Sequence, residues 1–228
     1  MKKVFFIVNP KSYLFGEKLY KLANKANELV AKYDVEIMFT APFVELENIS
    51  ENYKNLTVTA QHMDPTKVGR GMGHIVGEML IASGVKAVVL NHAEHKVDRE
   101  LLVETLKRTK ELGLKSIVCA SEYEEVEFIA NLNPDTILCE PTALIGTGQT
   151  SSDKYILETT DIIRNINKDI NVMQAAGVSK PEDVYRIIFN GADSTGCTSG
   201  IVLAPDPEEM LENMIISLLK AEADRKEK

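Results

Sequence analysis

The chain has 228 residues, with 26 Lys and Arg against 34 Asp and Glu for a formal net charge of −8, and it is 44% hydrophobic and 26% charged. That is enough chain and enough apolar content for a full core without staples, which argues against disorder. The acidic balance, with no long basic run, argues against nucleic acid as a partner, and no apolar run approaches the ~20 residues needed to cross a bilayer, so no membrane partner is expected either.

Lys2 and Lys3 open the sequence, and residues 4–8 form a first apolar run, too short for a signal peptide. Residues 18–33 then carry Leu19, Leu22, Ala23, Ala26, Leu29 and Val30 at helical spacing. Apolar runs at 35–39, 56–60 and 87–90 predict strands two to four. Leu101, Leu102, Thr105, Leu106 and Leu112 mark a helix over 99–112. Strands five and six are predicted at 116–119 and 136–139, a helix at 156–166, and the seventh strand at 171–173. A helix over 181–189 precedes a weak eighth strand at 194–197, polar for a strand and placed by order more than by composition. A last amphipathic helix covers 211–219, and the charged segment 221–228 is expected to fray. Ser83-Gly84, Leu112-Gly113 and Asn190-Gly191 read as helix C-caps.

Short apolar runs bounded by polar turns suit strands buried on both faces, and strand–helix alternation predicts a parallel sheet. Eight units leave about 28 residues each, close to the minimum for a βα repeat. The predicted fold is therefore α/β: one closed (β/α)8 barrel with a parallel sheet, spanning residues 1–228 as a single domain. A doubly wound open sheet is the alternative. Cys119, Cys139 and Cys197 are odd in number and widely spaced, so they read as buried strand-end thiols of a protein in a reducing cytoplasm rather than a disulfide framework.

In such a barrel the chemistry sits beyond the C-terminal ends of the strands. Those positions hold Asn9-Pro10-Lys11 after the first strand and Gln61-His62, with His74 further on, after the third. Asn91-His92-Ala93-Glu94-His95 follows the fourth, and Glu140-Pro141 through Ile145-Gly146-Thr147-Gly148 the sixth. Ala175-Ala176-Gly177-Val178-Ser179 follows the seventh and Thr198-Ser199-Gly200 the eighth. Each has a plain reading: Lys11 as a solvated loop lysine, Glu140 as a strand-end carboxylate, the glycines as a turn. His92 and His95 stand three apart in a loop with no Cys or Asp at ligand spacing, so no metal is expected. Together, however, Lys11, His92 and Glu140 would converge on the barrel mouth as a cation, a proton donor and a carboxylate base. The small-residue loops after strands seven and eight leave backbone N–H groups for a phosphate. A base, an electrophile and a phosphate grip define proton abstraction beside the carbonyl of a phosphorylated sugar.

With these residues the sequence resembles the triosephosphate isomerase family, in its short archaeal-like branch. The Glu140-Pro141 to Gly148 segment is similar to that family's catalytic glutamate and hinged loop. Asn9-Pro10-Lys11 is similar to its Asn-x-Lys, and Asn91-His92-Ala93-Glu94 to its His-Ser-Glu segment. Gln61-His62-Met63-Asp64-Pro65 and Gly73-His74 are similar to the archaeal-like third loop. The resemblance implies the TIM barrel and interconversion of dihydroxyacetone phosphate and glyceraldehyde 3-phosphate through an enediolate. It implies no cofactor, and assembly as a homodimer or homotetramer. It makes Glu140 the base, His92 a neutral electrophile, Lys11 the active-site lysine, Asn9 a polar partner of the enediolate oxygens and Glu94 the carboxylate beside the lysine. Gly146, Gly177, Ser179, Ser199 and Gly200 match the phosphate-holding positions. Closure of 141–148 would exclude water, so that the enediolate does not lose phosphate.

Three positions depart from the family. Ala93 replaces a serine, Met72 a threonine that reaches into the neighbouring subunit, and Ala175 a glycine, where a methyl narrows the phosphate approach or forces a shift if φ must be positive. Two other readings therefore stay open: an isomerase of a longer phosphorylated ketose or aldose such as a tetrulose phosphate, and a non-catalytic barrel that binds a phosphorylated ligand.

Overall fold

Eight parallel strands close into a barrel in sequence order in the computed structural model, which describes residues 4–227; Lys2, Lys3 and Lys228 lie outside the described residues. The strands are β1 (Phe5–Val8), β2 (Glu36–Ala41), β3 (Thr57–Ala60), β4 (Ala87–Leu90), β5 (Lys115–Ala120), β6 (Thr136–Cys139), β7 (Asn171–Gln174) and β8 (Ser194–Cys197). Phe5, Ile7, Met38, Val89, Ile117, Cys119, Leu138 and Met173 fill the barrel interior. Their neighbours Phe6, Val8, Ile37, Phe39, Val88, Leu90 and Val118 face outward into a second core beneath the helices. Alternate side chains thus enter two dry layers, which is why these strands read as unbroken apolar runs.

The polar β8 is a strand after all. Thr195 Oγ1 donates to the Gln174 carbonyl at 2.7 Å, Cys197 Sγ to the Val178 carbonyl at 3.0 Å, and Ser194 Oγ to Asn171 Oδ1. It pairs with β1, Ile7 opposite Gly196. A Cβ at Gly196 would stand 2.0 Å from Ile7 Cγ2 and 2.5 Å from its carbonyl oxygen, so the closing seam needs a residue without a side chain.

Around the barrel run α1 (Glu17–Tyr33), α2 (Leu46–Asn52), α3 (Gly77–Ala82), α4 (Arg99–Glu111), α5 (Tyr123–Asn131), α6 (Asp153–Ile166), α7 (Pro181–Phe189), α8 (Ser199–Val202) and α9 (Pro207–Lys226). Asp98, Ser152 and Asp206 accept amide hydrogens at the starts of α4, α6 and α9, as N-caps do. Gly84, Gly113 and Gly191 follow the ends of α3, α4 and α7 in left-handed conformation, as the C-cap reading requires. The expected fraying of the C-terminal segment is corrected: α9 runs to Lys226. Ala221 is fully buried, and Arg225 Nη1 donates to the carbonyls of Ile188 (3.0 Å) and Ala192 (2.6 Å). The three cysteines are free and buried. Among the described residues no helix is long and apolar enough to cross a membrane.

Candidate active site

The strand ends of β1, β4, β6, β7 and β8 surround a cavity of about 200 Å³. Ile7, Val89 and Leu138, whose side chains fill the barrel interior, form its floor, and Asn9, Lys11, His92, Glu94 and Glu140 line its walls. Ile145, Gly146, Gly177, Thr198 and Ser199 border it from the loops that follow β6, β7 and β8.

Lys11 leaves β1 with a left-handed backbone, φ 48°, uncommon for a residue with a long side chain. The surroundings hold it there. Its amide donates to Asn9 Oδ1 at 3.1 Å, Gln61 Nε2 donates to its carbonyl at 3.0 Å, and Thr40 Oγ1 donates to the same Asn9 oxygen at 2.7 Å. Backbone strain of this kind is kept where neighbours over-determine a functional side chain. Lys11 is not a solvated loop lysine: its side chain is 16% exposed and its Nζ lies 2.7 Å from Glu94 Oε1.

His92 follows Asn91, itself left-handed at φ 58°. Asn91 Nδ2 donates to the Cys119 carbonyl and to Glu125 Oε1, both at 2.9 Å, tying the loop to β5 and α5. The Glu94 amide donates to His92 Nδ1 at 3.1 Å. Nδ1 is therefore the bare acceptor and Nε2 carries the hydrogen. Burial, and then the Lys11 cation, hold the imidazole below its ordinary 6.5, so the ring is neutral at pH 7.

Glu140 extends the β5–β6 ladder by one bond, its amide donating to the Ala120 carbonyl at 2.8 Å. Its carboxylate Oε2 stands 3.7 Å from His92 Nε2, and both side chains are 12% exposed. Burial pushes Glu140 up from 4.5 to about 7, with Lys11 pulling the other way and Glu94 adding to the rise. The result is a carboxylate poised near neutrality opposite a neutral ring N–H, the arrangement that proton transfer at carbon requires.

The loops after β6, β7 and β8 divide the five candidate phosphate residues. Gly146, Gly177 and Ser199 border the cavity. Ser179 is engaged elsewhere, its amide and hydroxyl both donating to Asp183 Oδ2, at 3.1 and 3.2 Å. Gly200 sits against Ser179, where a Cβ would meet its Cα at 2.7 Å, so this glycine permits α8 to approach the loop that follows β7. Ala175 also borders the cavity, and the left-handed residue of its loop is Gly177, φ 65°; the forced shift considered for Ala175 does not arise. Thr40, which sets Lys11 through Asn9, and Tyr13, which lines the cavity, carry no sequence signal of a role, whereas Gln61, which holds the Lys11 carbonyl, and Thr198, which lines the cavity, stand among the strand-end residues of the sequence with no role attached.

A wider cavity of about 710 Å³ adjoins, sharing Asn9, Lys11, Val89, His92 and Glu94. On its far side the His62 and His95 rings lie 4.1 Å apart, and Asp64 stands 3.3 Å from His62 Nε2 and 3.4 Å from His74 Nδ1. Among the described residues, no three His, Cys, Asp or Glu side chains are placed to hold a metal ion.

Residues 4–198 match the family model described as triosephosphate isomerase. The chain is 37% identical to the triosephosphate isomerase of Saccharolobus solfataricus over 226 residues, covering 97% of this chain and 99% of that protein. It is 34% identical to that of Sulfolobus acidocaldarius, covering both chains in full. It is 30% identical to that of Methanothermus fervidus, over 96% of this chain and 100% of the relative.

Proposed function

The chain belongs to the triosephosphate isomerase family, an isomerase interconverting triose phosphates, and on that premise we propose how its own residues perform the reaction. Glu140 takes the proton from the carbon beside the carbonyl of dihydroxyacetone phosphate or glyceraldehyde 3-phosphate and returns it to the neighbouring carbon. His92 donates from Nε2 to the carbonyl oxygen as it gains charge. Lys11, held by Glu94 and by its strained backbone, supplies a fixed cation to the enediolate, and Asn9 stands beside it. The phosphate rests on the backbone of Gly146, Gly177 and Ser199, with Ser179 and Gly200 supporting that wall. This family is itself the type case of a glutamate base paired with a neutral histidine. No step calls for a metal or an organic cofactor.

The observation that carries the reading is the pair itself: a carboxylate raised to about 7 facing, at 3.7 Å, a histidine whose Nδ1 is already an acceptor. The test is turnover of a panel of triose and tetrose phosphates by the wild type and Glu140→Gln. Triose turnover that falls at least about a thousandfold in the variant supports the assignment; a variant as active as the wild type refutes it.

We also propose a single catalytic domain that assembles with copies of itself, as a homodimer or homotetramer. Met72, Val68, Phe15 and Val44 are exposed apolar side chains, and Met72 borders the wider cavity beside the site. Light scattering on the purified protein distinguishes a monomer from either assembly.

A further inference from the structure

We propose that Arg186, on α7, is a positioning residue for the reaction: its guanidinium fixes the C-terminal hinge of the 141–148 loop and couples it to the turn that holds phosphate. The inference rests on the reading of that loop as the segment that closes over the substrate.

The loop is bound mostly to itself. Leu144 N donates to the Pro141 carbonyl at 2.9 Å, Thr147 Oγ1 to the Leu144 carbonyl at 2.8 Å, and Gln149 N to Thr147 Oγ1 at 3.1 Å. Thr142, Ala143, Gly146, Thr147 and Gly148 are exposed. A segment knit internally and free on its outer side moves as one piece, so its two ends decide where it lands. The first end is fixed by β6, through the bond from Glu140 N to the Ala120 carbonyl.

The second end is fixed by Arg186. Nη2 donates to Thr150 Oγ1 and, at 2.9 Å, to the Ser151 carbonyl, while Nη1 pairs with Asp153 Oδ1 in the first turn of α6. Asn190, at the end of α7, adds a bond from Nδ2 to the same Asp153 oxygen at 2.8 Å. The planar fork of arginine reaches all three acceptors at once, which the point charge of lysine does not. α7 also governs the phosphate turn. Its Asp183 accepts from the amide and hydroxyl of Ser179, and the backbone of Gly177 lies so close to Gln149 that an added Cβ would stand 1.9 Å from the Gln149 carbonyl oxygen. One helix therefore carries the turn proposed to meet the phosphate at its N-terminal end and a clasp on the hinge one turn further along. A shift of either is transmitted to the other through packed backbone rather than through a flexible chain.

The experiment compares wild type, Arg186→Gln, Arg186→Lys, Thr150→Val and the Arg186→Gln/Thr150→Val double variant. It measures kcat, KM and inorganic phosphate released per turnover. Phosphate release reports a loop that fails to close: the C–O bond of the enediolate breaks, its electron pair leaves with the phosphate, and the remaining three-carbon enol tautomerises to a dicarbonyl. Arg186→Gln is expected to lower kcat about ten- to a hundredfold, as misplacement of about an ångström does, and to raise phosphate release per turnover. Arg186→Lys should recover part of both. The double variant should be no worse than Arg186→Gln, because the two side chains act as a unit. Additive losses, or a lower melting temperature with kcat and phosphate release unchanged, overturn the proposal. If Arg186→Gln does not fold, Thr150→Val alone carries the test by the same two readouts. Glu140→Gln run in parallel separates the failures: if it retains full activity, the reading of the site falls, whereas an inactive Glu140→Gln beside unaltered Arg186 and Thr150 variants sinks only the clasp.

Discussion

Burying Glu140 has a cost that is measurable apart from catalysis. An unfolded chain ionises this carboxyl at its ordinary 4.5, and the folded chain holds the proton until about 7. Between those values the unfolded state has released a proton that the folded state keeps, so stability falls as pH rises from 4.5 to 7 and stays reduced above it. A displacement of about 2.5 units corresponds to about 3 kcal/mol at pH 8 and to less than about 1 kcal/mol at pH 5. Glu140→Gln keeps the shape, removes the ionisation and escapes the whole penalty. In urea titrations of both proteins, the variant is expected to be the more stable by about 3 kcal/mol at pH 8, with most of that advantage gone at pH 5. Equal stabilities at pH 8, or a difference that does not change with pH, would show that the carboxylate is not desolvated in the folded protein, and the explanation of its raised pKa would fail.

Three further outcomes follow from the site. The acid limb of kcat/KM should fall with unit slope near pH 7, after correction for the substrate phosphate, which itself ionises near ~6; a limb near 4.5 would mean a solvated base. Lys11→Met should lower kcat/KM roughly 10²–10³-fold and move that limb to higher pH, since Lys11 holds the Glu140 pKa down; an unmoved limb contradicts the coupling. Gly177→Ala places a methyl in left-handed backbone against the Gln149 carbonyl. It should cost about 1–3 kcal/mol in urea unfolding and weaken substrate binding; an unchanged midpoint would show that the turn relaxes freely.

The barrel was legible because its strands are dry on both faces, so runs such as 4–8 and 87–90 stood out without alternation. β8 was found by rhythm rather than by chemistry: Ser194, Thr195 and Cys197 satisfy themselves on Asn171, Gln174 and Val178, partners that no local pattern reveals. Helices α2, α3 and α8 have seven, six and four residues, too few turns for a periodic signal to accumulate, and α3 shows in the sequence only through its Ser83-Gly84 C-cap; α5 is as long as α7 but lacks the Pro181 and Gly191 that bracket α7. The tail of α9 reads as a solvated charge run, yet the carbonyls that Arg225 meets lie 33 and 37 residues away in sequence. In the site, residue types at strand ends announced Lys11, His92 and Glu140. Which ring nitrogen carries the hydrogen, how far burial lifts Glu140, and that Ser179 is held by Asp183 are matters of distance, and spacing along a chain does not encode them.

The seam where β1 meets β8 joins the segments of the sheet that are farthest apart along the chain, and synthesis delivers them nearly two hundred residues apart, Phe5–Val8 first and Ser194–Cys197 last. The barrel cannot shut until its least apolar strand emerges, so closure is a late event in folding and its reversal a natural first step in opening. The cavity straddles this seam, with Lys11 beyond one strand and Ser199 beyond the other. A phosphorylated ligand gripped from both banks becomes a bolt across the join, and an occupied enzyme should outlast an empty one against heat and proteases by slowing the step that parts its two ends.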